Sequence, residues 1–153
     1  MSAARAKAKG RRNSAPHIQI LKFVLNSDEF GQLSGNAVKL LLELHRQYNG
    51  FNNGDLCATW SQLRKRGWKS KGTLARSLKE LIATEFVVLS RISYQKRTPN
   101  LYAITYLSVD ECNGKLDIKE TITAPHSWRT EKQIVTPHQG QSTPHEGQRN
   151  GIT

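Results

Sequence analysis

The sequence predicts a small α+β domain set between two flexible tails, and three observations carry that prediction. Between positions 34 and 84, apolar residues recur at helical spacing. Between positions 86 and 107 they change to the pattern of two strands around a basic turn. At either end the composition turns Ala/Lys/Arg-rich or Pro/Gly/Gln-rich, and the overall hydrophobic content of 37% is below the globular average.

The elements follow in order. Residues 1–16 form a basic arm with no large apolar residue past Met1, expected to be disordered in isolation. From 17 to 33, Ile18 and Ile20 alternate, then Leu21, Val24 and Leu25 take helical spacing. That pattern suggests a short strand or turn, then a helical turn. Ser34 is a good N-cap for the first long helix, whose broad apolar stripe is Ala37, Val38, Leu40, Leu41, Leu42 and Leu44. Asn49-Gly50 ends it, and Asn52-Asn53-Gly54-Asp55 reads as a turn.

Thr59 with Gln62 matches a capping box, opening a short helix from Trp60 to about Arg66 that Gly67 stops. Ser70 caps the next helix, from Lys71 to about Thr84, with Leu74, Leu78, Leu81 and Ile82 inward. Two helices joined by a few residues around a glycine form a helix-turn-helix. Phe86–Ser93 reads as a strand, 95–100 as a basic turn, and Leu101–Leu107 as the returning strand. A hairpin directly after a helix-turn-helix is the wing of a winged helix, so the domain is placed at 17–108. Residues 109–132 read as a partly ordered extension that packs on the domain surface. Residues 133–153 read as a flexible tail carrying a duplicated unit, TPHQGQ at 136–141 and TPHEGQ at 143–148.

Charge bears most directly on function. The net charge is +11, and it is concentrated. Residues 1–16 hold five lysines and arginines with no acid, and 60–97 hold ten against Glu80 and Glu85. The rest of the chain is slightly acidic. Excess positive charge gathered in two segments is the footprint of a polyanionic partner. A basic face serving only solubility would be spread more evenly.

Other classes find little support. No apolar run is long enough to span a membrane, and no signal peptide is visible, which points to the cytoplasm. Cys57 and Cys112 form no CxxC pair, and the histidines are scattered, so no metal site or disulfide is expected. No Gly-rich phosphate loop, GxSxG or HExxH occurs, and the paired acids Asp28-Glu29 and Asp110-Glu111 are merely adjacent. No catalytic role, cofactor or small-molecule ligand is expected.

In a helix-turn-helix the second helix enters the major groove of duplex DNA. Its expected outward face holds Lys71, Gly72, Thr73, Arg76, Ser77, Lys79 and Glu80. Arg76 is the best candidate for a bidentate contact to guanine. Thr73 suits a thymine methyl or a phosphate, and Ser77 and Lys79 lie on the same face; Lys79 reads equally well as a solvated lysine. Lys69 and Lys71 flank the helix N-terminus, where free amides favour phosphate. Arg64, Lys65 and Arg66 end the preceding helix and suit the DNA backbone. Lys96 and Arg97 tip the wing, with Arg91 nearby unless it pairs with Glu85. Trp60 and Trp68 read as packing residues before base-stacking ones.

Three stretches carry a resemblance: residues 33–41 (LSGNAVKLL), 52–56 (NNGDL) and 72–81 (GTLARSLKEL). They resemble the winged-helix domains of prophage and plasmid replication proteins, the N-terminal type of phage replication protein O among them. Residues 99–105 (PNLYAIT) and 110–112 (DEC) resemble small bacterial helix-turn-helix proteins of mobile elements. The likeness covers roughly 17–130 and implies a DNA-binding winged helix serving transcription or replication. The expected absence of a second folded domain counts against active replisome assembly.

The expected function is therefore double-stranded DNA binding. Two alternatives stay open: RNA or general nucleic-acid binding, and a winged-helix module that binds another protein. A homodimer would present two recognition helices about one DNA turn apart, but no segment reads as a dimerisation helix.

Overall fold

Three serines, each itself in extended backbone conformation, start a helix in the computed structural model, which describes residues 15–130. The Ser27 hydroxyl accepts from the Phe30 amide at 3.1 Å. Ser34 accepts from Ala37 at 3.2 Å and Ser70 from Thr73 at 3.3 Å. Each bond satisfies a first-turn amide and stabilises its helix by about 1 kcal/mol. The basic arm lies outside the described residues except for Ala15 and Pro16. The 133–153 tail with its duplicated unit lies wholly outside them.

The architecture is α+β. Two single-turn helices, α1 (Lys22–Leu25) and α2 (Asp28–Gly31), precede the long helix α3 (Gly35–Gln47). The opening segment therefore contains no strand: Leu21 precedes α1 in extended conformation, and a second helical turn follows the Ser27 cap. Helix α4 (Trp60–Leu63) runs on as a 3-10 turn (Arg64–Arg66), and α5 spans Lys71–Ala83. Strands β1 (Val87–Arg91) and β2 (Leu101–Ile104) pair antiparallel, Val87 opposite Ile104 and Leu89 opposite Tyr102. Leu56 adds an isolated bridge to Tyr102, so the sheet has a third position. Register slips between Leu89 and Arg91. There the buried Ser90 hydroxyl donates to the Gly54 carbonyl.

Helix α3 buries Ala37, Leu40, Leu41 and Leu44, a narrower stripe than expected, because Leu42 turns to solvent. Its face meets α5, which buries Leu74, Ser77 and Leu81. This rotates α5 relative to the expected inner face. Leu78 is only partly buried and Ile82 is 39% exposed. Residues at i, i+3 and i+7 take the core-facing line, and a serine holds the middle of it.

The capping box at Thr59 and Gln62 does not form. Thr59 occupies the N-cap without a capping bond, its hydroxyl accepts from Ser61 at 3.3 Å, and Gln62 is exposed. Gly67 does stop the helix, with φ of 85°, a left-handed conformation that glycine adopts without steric penalty.

Asn53 is completely buried and fastens the far side of the sheet. Its side-chain amide donates to the carbonyls of Ile104 and Ser108 at 2.9 and 2.8 Å. Its side-chain oxygen accepts from the Ile104 amide at 2.8 Å. The extension beyond β2 goes further than the surface. Trp128 is buried and stacks on Phe86, ring centroids 5.3 Å apart and planes at 6°. Phe23 of α1 lies 6.1 Å from Trp128, and the Thr130 amide donates to Glu29 at 3.2 Å. The last described turn thus clasps the first.

Among the described residues no helix is long and apolar enough to cross a membrane.

Candidate nucleic-acid interface

Most of the cations singled out from the sequence lie together along the chain and face solvent. Arg64, Lys65 and Arg66 occupy the 3-10 turn, Lys69 and Lys71 flank the start of α5, and Arg76 and Lys79 stand on its exposed side. Thr73, in the first turn, is half-buried.

Arg76 folds back over that first turn. Its guanidinium donates to the Thr73 hydroxyl at 3.3 Å. A β-carbon built on Gly72 would lie 3.8 Å from the same guanidinium and 3.6 Å from the Ser70 hydroxyl. Both are ordinary van der Waals distances, so Arg76 lies close over the N-terminal turn of α5, where amide groups and helix dipole favour an anion.

The helix's own acid is engaged elsewhere. The Ser34 amide and hydroxyl donate to the two oxygens of Glu80 at 2.7 and 2.6 Å. Glu80 thus clamps the start of α3 to the middle of α5. Nothing local marks it, since the partner is 46 residues away.

Lys39 of α3 holds its ammonium 5.1 Å from the centre of the Trp68 ring. Trp68 is buried, in the packing role the sequence favoured, with Trp60 half-buried against the core.

Three expected contacts need correction. Ser77 is buried, and its hydroxyl donates to the Thr73 carbonyl at 2.8 Å. The α5 rotation that turns Ser77 inward removes it from any groove-facing surface. Arg66 gives its Nε to the Glu43 carboxylate, with oxygens at 3.2 and 3.1 Å, and Arg46 shares that carboxylate. Burial pushes the Glu43 carboxyl up, but the two guanidiniums outweigh it and hold it below the usual carboxylate range. Arg66 thereby keeps only part of its donor set free for any other partner. Arg91 does not pair with Glu85. It is half-buried and donates to the Pro99 carbonyl across the hairpin at 3.1 Å, bracing the loop from inside.

Lys96 and Arg97 stand exposed at the hairpin tip. Among the described residues, Arg64, Lys65, Lys69, Lys71, Arg76, Lys79, Lys96 and Arg97 form no ion pair. The ion-paired cations there are Arg46, Arg66 and Lys115.

No family model, curated protein or solved structure matches this chain.

Other chemistry is sparse on the described surface. Both cysteines are free thiols, and burial together with the nearby Asp55 raises them above the ordinary cysteine value. At neutral pH they therefore carry little nucleophilic thiolate. No group of three or more His, Cys, Asp or Glu is placed to hold a metal among the described residues.

Proposed function

We propose that this chain binds double-stranded DNA through a winged helix-turn-helix made of α3, α4, α5 and the β1–β2 hairpin. On this reading α5 enters the major groove and the hairpin loop follows the neighbouring backbone. The order of elements supports it: two helices joined through a left-handed glycine, then at once an antiparallel hairpin.

One observation carries the proposal. The exposed side of α5, Arg64 and Lys65 of the 3-10 turn before it, and the hairpin tip present cations without carboxylate partners, while Glu80 is turned away toward Ser34. A folded protein that leaves so many cations uncompensated in adjoining segments favours a polyanion. Arg76, poised at the helix N-terminus, is the base-reading residue. Lys69, Lys71, Arg64, Lys65, Lys96 and Arg97 take phosphates.

The replication-protein likeness of residues 33–41, 52–56 and 72–81 supports a role in a phage or other mobile element, as transcriptional regulator or replication-associated factor. The reading assigns the chain no catalytic step.

Selection of bound sequences from random duplex DNA at physiological salt tests it and should return a defined motif. Arg76→Ala should then weaken the motif by about 1–3 kcal/mol while leaving scrambled duplex nearly unchanged. Equal loss on both would deny Arg76 any base contact. Stronger competition by RNA than by duplex would replace DNA as the partner.

A further inference from the structure

The loop between β1 and β2 is fastened from within. The Ser93 amide donates to the Asn100 side chain at 2.8 Å and closes the neck. Inside it, the Ser93 hydroxyl donates to the Gln95 carbonyl at 2.6 Å and lies 2.9 Å from the Thr98 hydroxyl. The Thr98 amide returns to the Gln95 carbonyl at 3.1 Å, and Arg91 holds Pro99. These bonds draw on the backbone, short polar side chains and Arg91. They leave Tyr94, Lys96 and Arg97 pointing into solvent.

Tyr94 is 85% exposed. It has no hydrogen bond or ring contact among the described residues. A tyrosine has two side-chain torsions, so one held on a braced backbone loses little entropy on contact. Beside two unpaired cations it matches the way single strands are held, with a ring to stack on a base and cations for the flanking phosphates. A fully paired duplex hides its base faces in the stack. Only an unpaired nucleotide offers one.

We infer that the 93–100 loop grips an unpaired nucleotide, Tyr94 stacking on its base while Lys96 and Arg97 take the adjoining phosphates. The preferred ligand is then duplex DNA with an unpaired stretch beside the segment bound by α5. This inference rests on the DNA-binding reading and names the form of DNA that reading takes.

The test compares two fluorescein-labelled DNAs of one sequence, one fully paired and one with a short central bubble, by anisotropy with the full chain. The bubble should bind about tenfold tighter, within the range expected of one stacked base. Tyr94→Ala should abolish the difference and leave paired-duplex affinity within about twofold, while Tyr94→Phe keeps it, since stacking needs only the ring. The salt dependence should separate the roles. Tyr94→Ala leaves the slope unchanged, and Lys96→Ala lowers it by about 0.7–0.9, the share of one phosphate.

Equal binding of both DNAs by the native chain, or a bubble preference that survives Tyr94→Ala, overturns the inference. If Arg76→Ala still weakens binding in that case, the duplex reading stands without it. If neither DNA binds, both fall together. Tyr94 supports no part of the core, so a folding defect does not confuse the result.

Discussion

Buried polar side chains set much of this protein's character at the residue scale. His45 is almost wholly buried, and its ring nitrogen lies 3.0 Å from the Tyr106 hydroxyl. Burial holds the imidazole below the ordinary histidine value and pushes the Tyr106 phenol well up. As pH falls, the unfolded chain takes up this proton before the folded one. Stability should therefore be full above about pH 6.5, the free histidine value, and should decline as pH drops below it toward the lower folded value. His126, lowered by burial and then by Arg129, adds in the same direction. Urea titrations at several pH values check this. His45→Gln, which takes no proton, should flatten the fall, and an unchanged fall would clear His45 of responsibility. At this scale the sequence was a partial guide. Exposed cations could be read directly, because charge selects solvent. The inward turn of Ser77 could not, since a small hydroxyl that bonds its own helix sits as easily in the core as outside it.

Helix starts were legible at Ser34 and Ser70, where cap chemistry is local. The Thr59 capping box failed because α4 is a single turn whose cap residue bonds a neighbouring hydroxyl instead. Long-range fastening left no local trace, and the Glu80 clamp on Ser34 is the clearest case. Two charge-assisted hydrogen bonds join α3 to α5 at an exposed site. Glu80→Ala should lower unfolding stability by about 1–2 kcal/mol, below the full range for buried charged bonds because water competes. Glu80→Gln, which keeps one acceptor oxygen, should fall between. A native-like denaturation midpoint in the alanine variant would show that the clamp is only geometric. Because the bonds set how α3 meets the middle of α5, the same loss should loosen the cationic face.

For the whole molecule, the helix-then-hairpin order was readable from periodicity alone. The depth of the 109–130 segment was not, since its few apolar residues gave no pattern; it is held by buried Val109 and Trp128 and by backbone bonds such as Asp117 to Ser90 and His126 to Thr105. Trp128 stacks on Phe86 and closes the core beside Phe23. Trp128→Ala should cost about 3–5 kcal/mol, the usual penalty for deleting a large buried ring. Calorimetry would register it as a melting point lower by about 10–20 degrees, and an unmoved melting point would place the ring outside the cooperative unit. The charge pattern was legible at once, because net charge does not depend on fold.

The clasp between the first and last described turns has a topological consequence. Phe23 against Trp128, and Glu29 with Thr130, bring residues about a hundred positions apart in the sequence side by side. A short linker could join those turns, and new termini could be opened at exposed Gly50. The resulting circular permutant keeps every core contact while opening the described chain in the turn that follows α3.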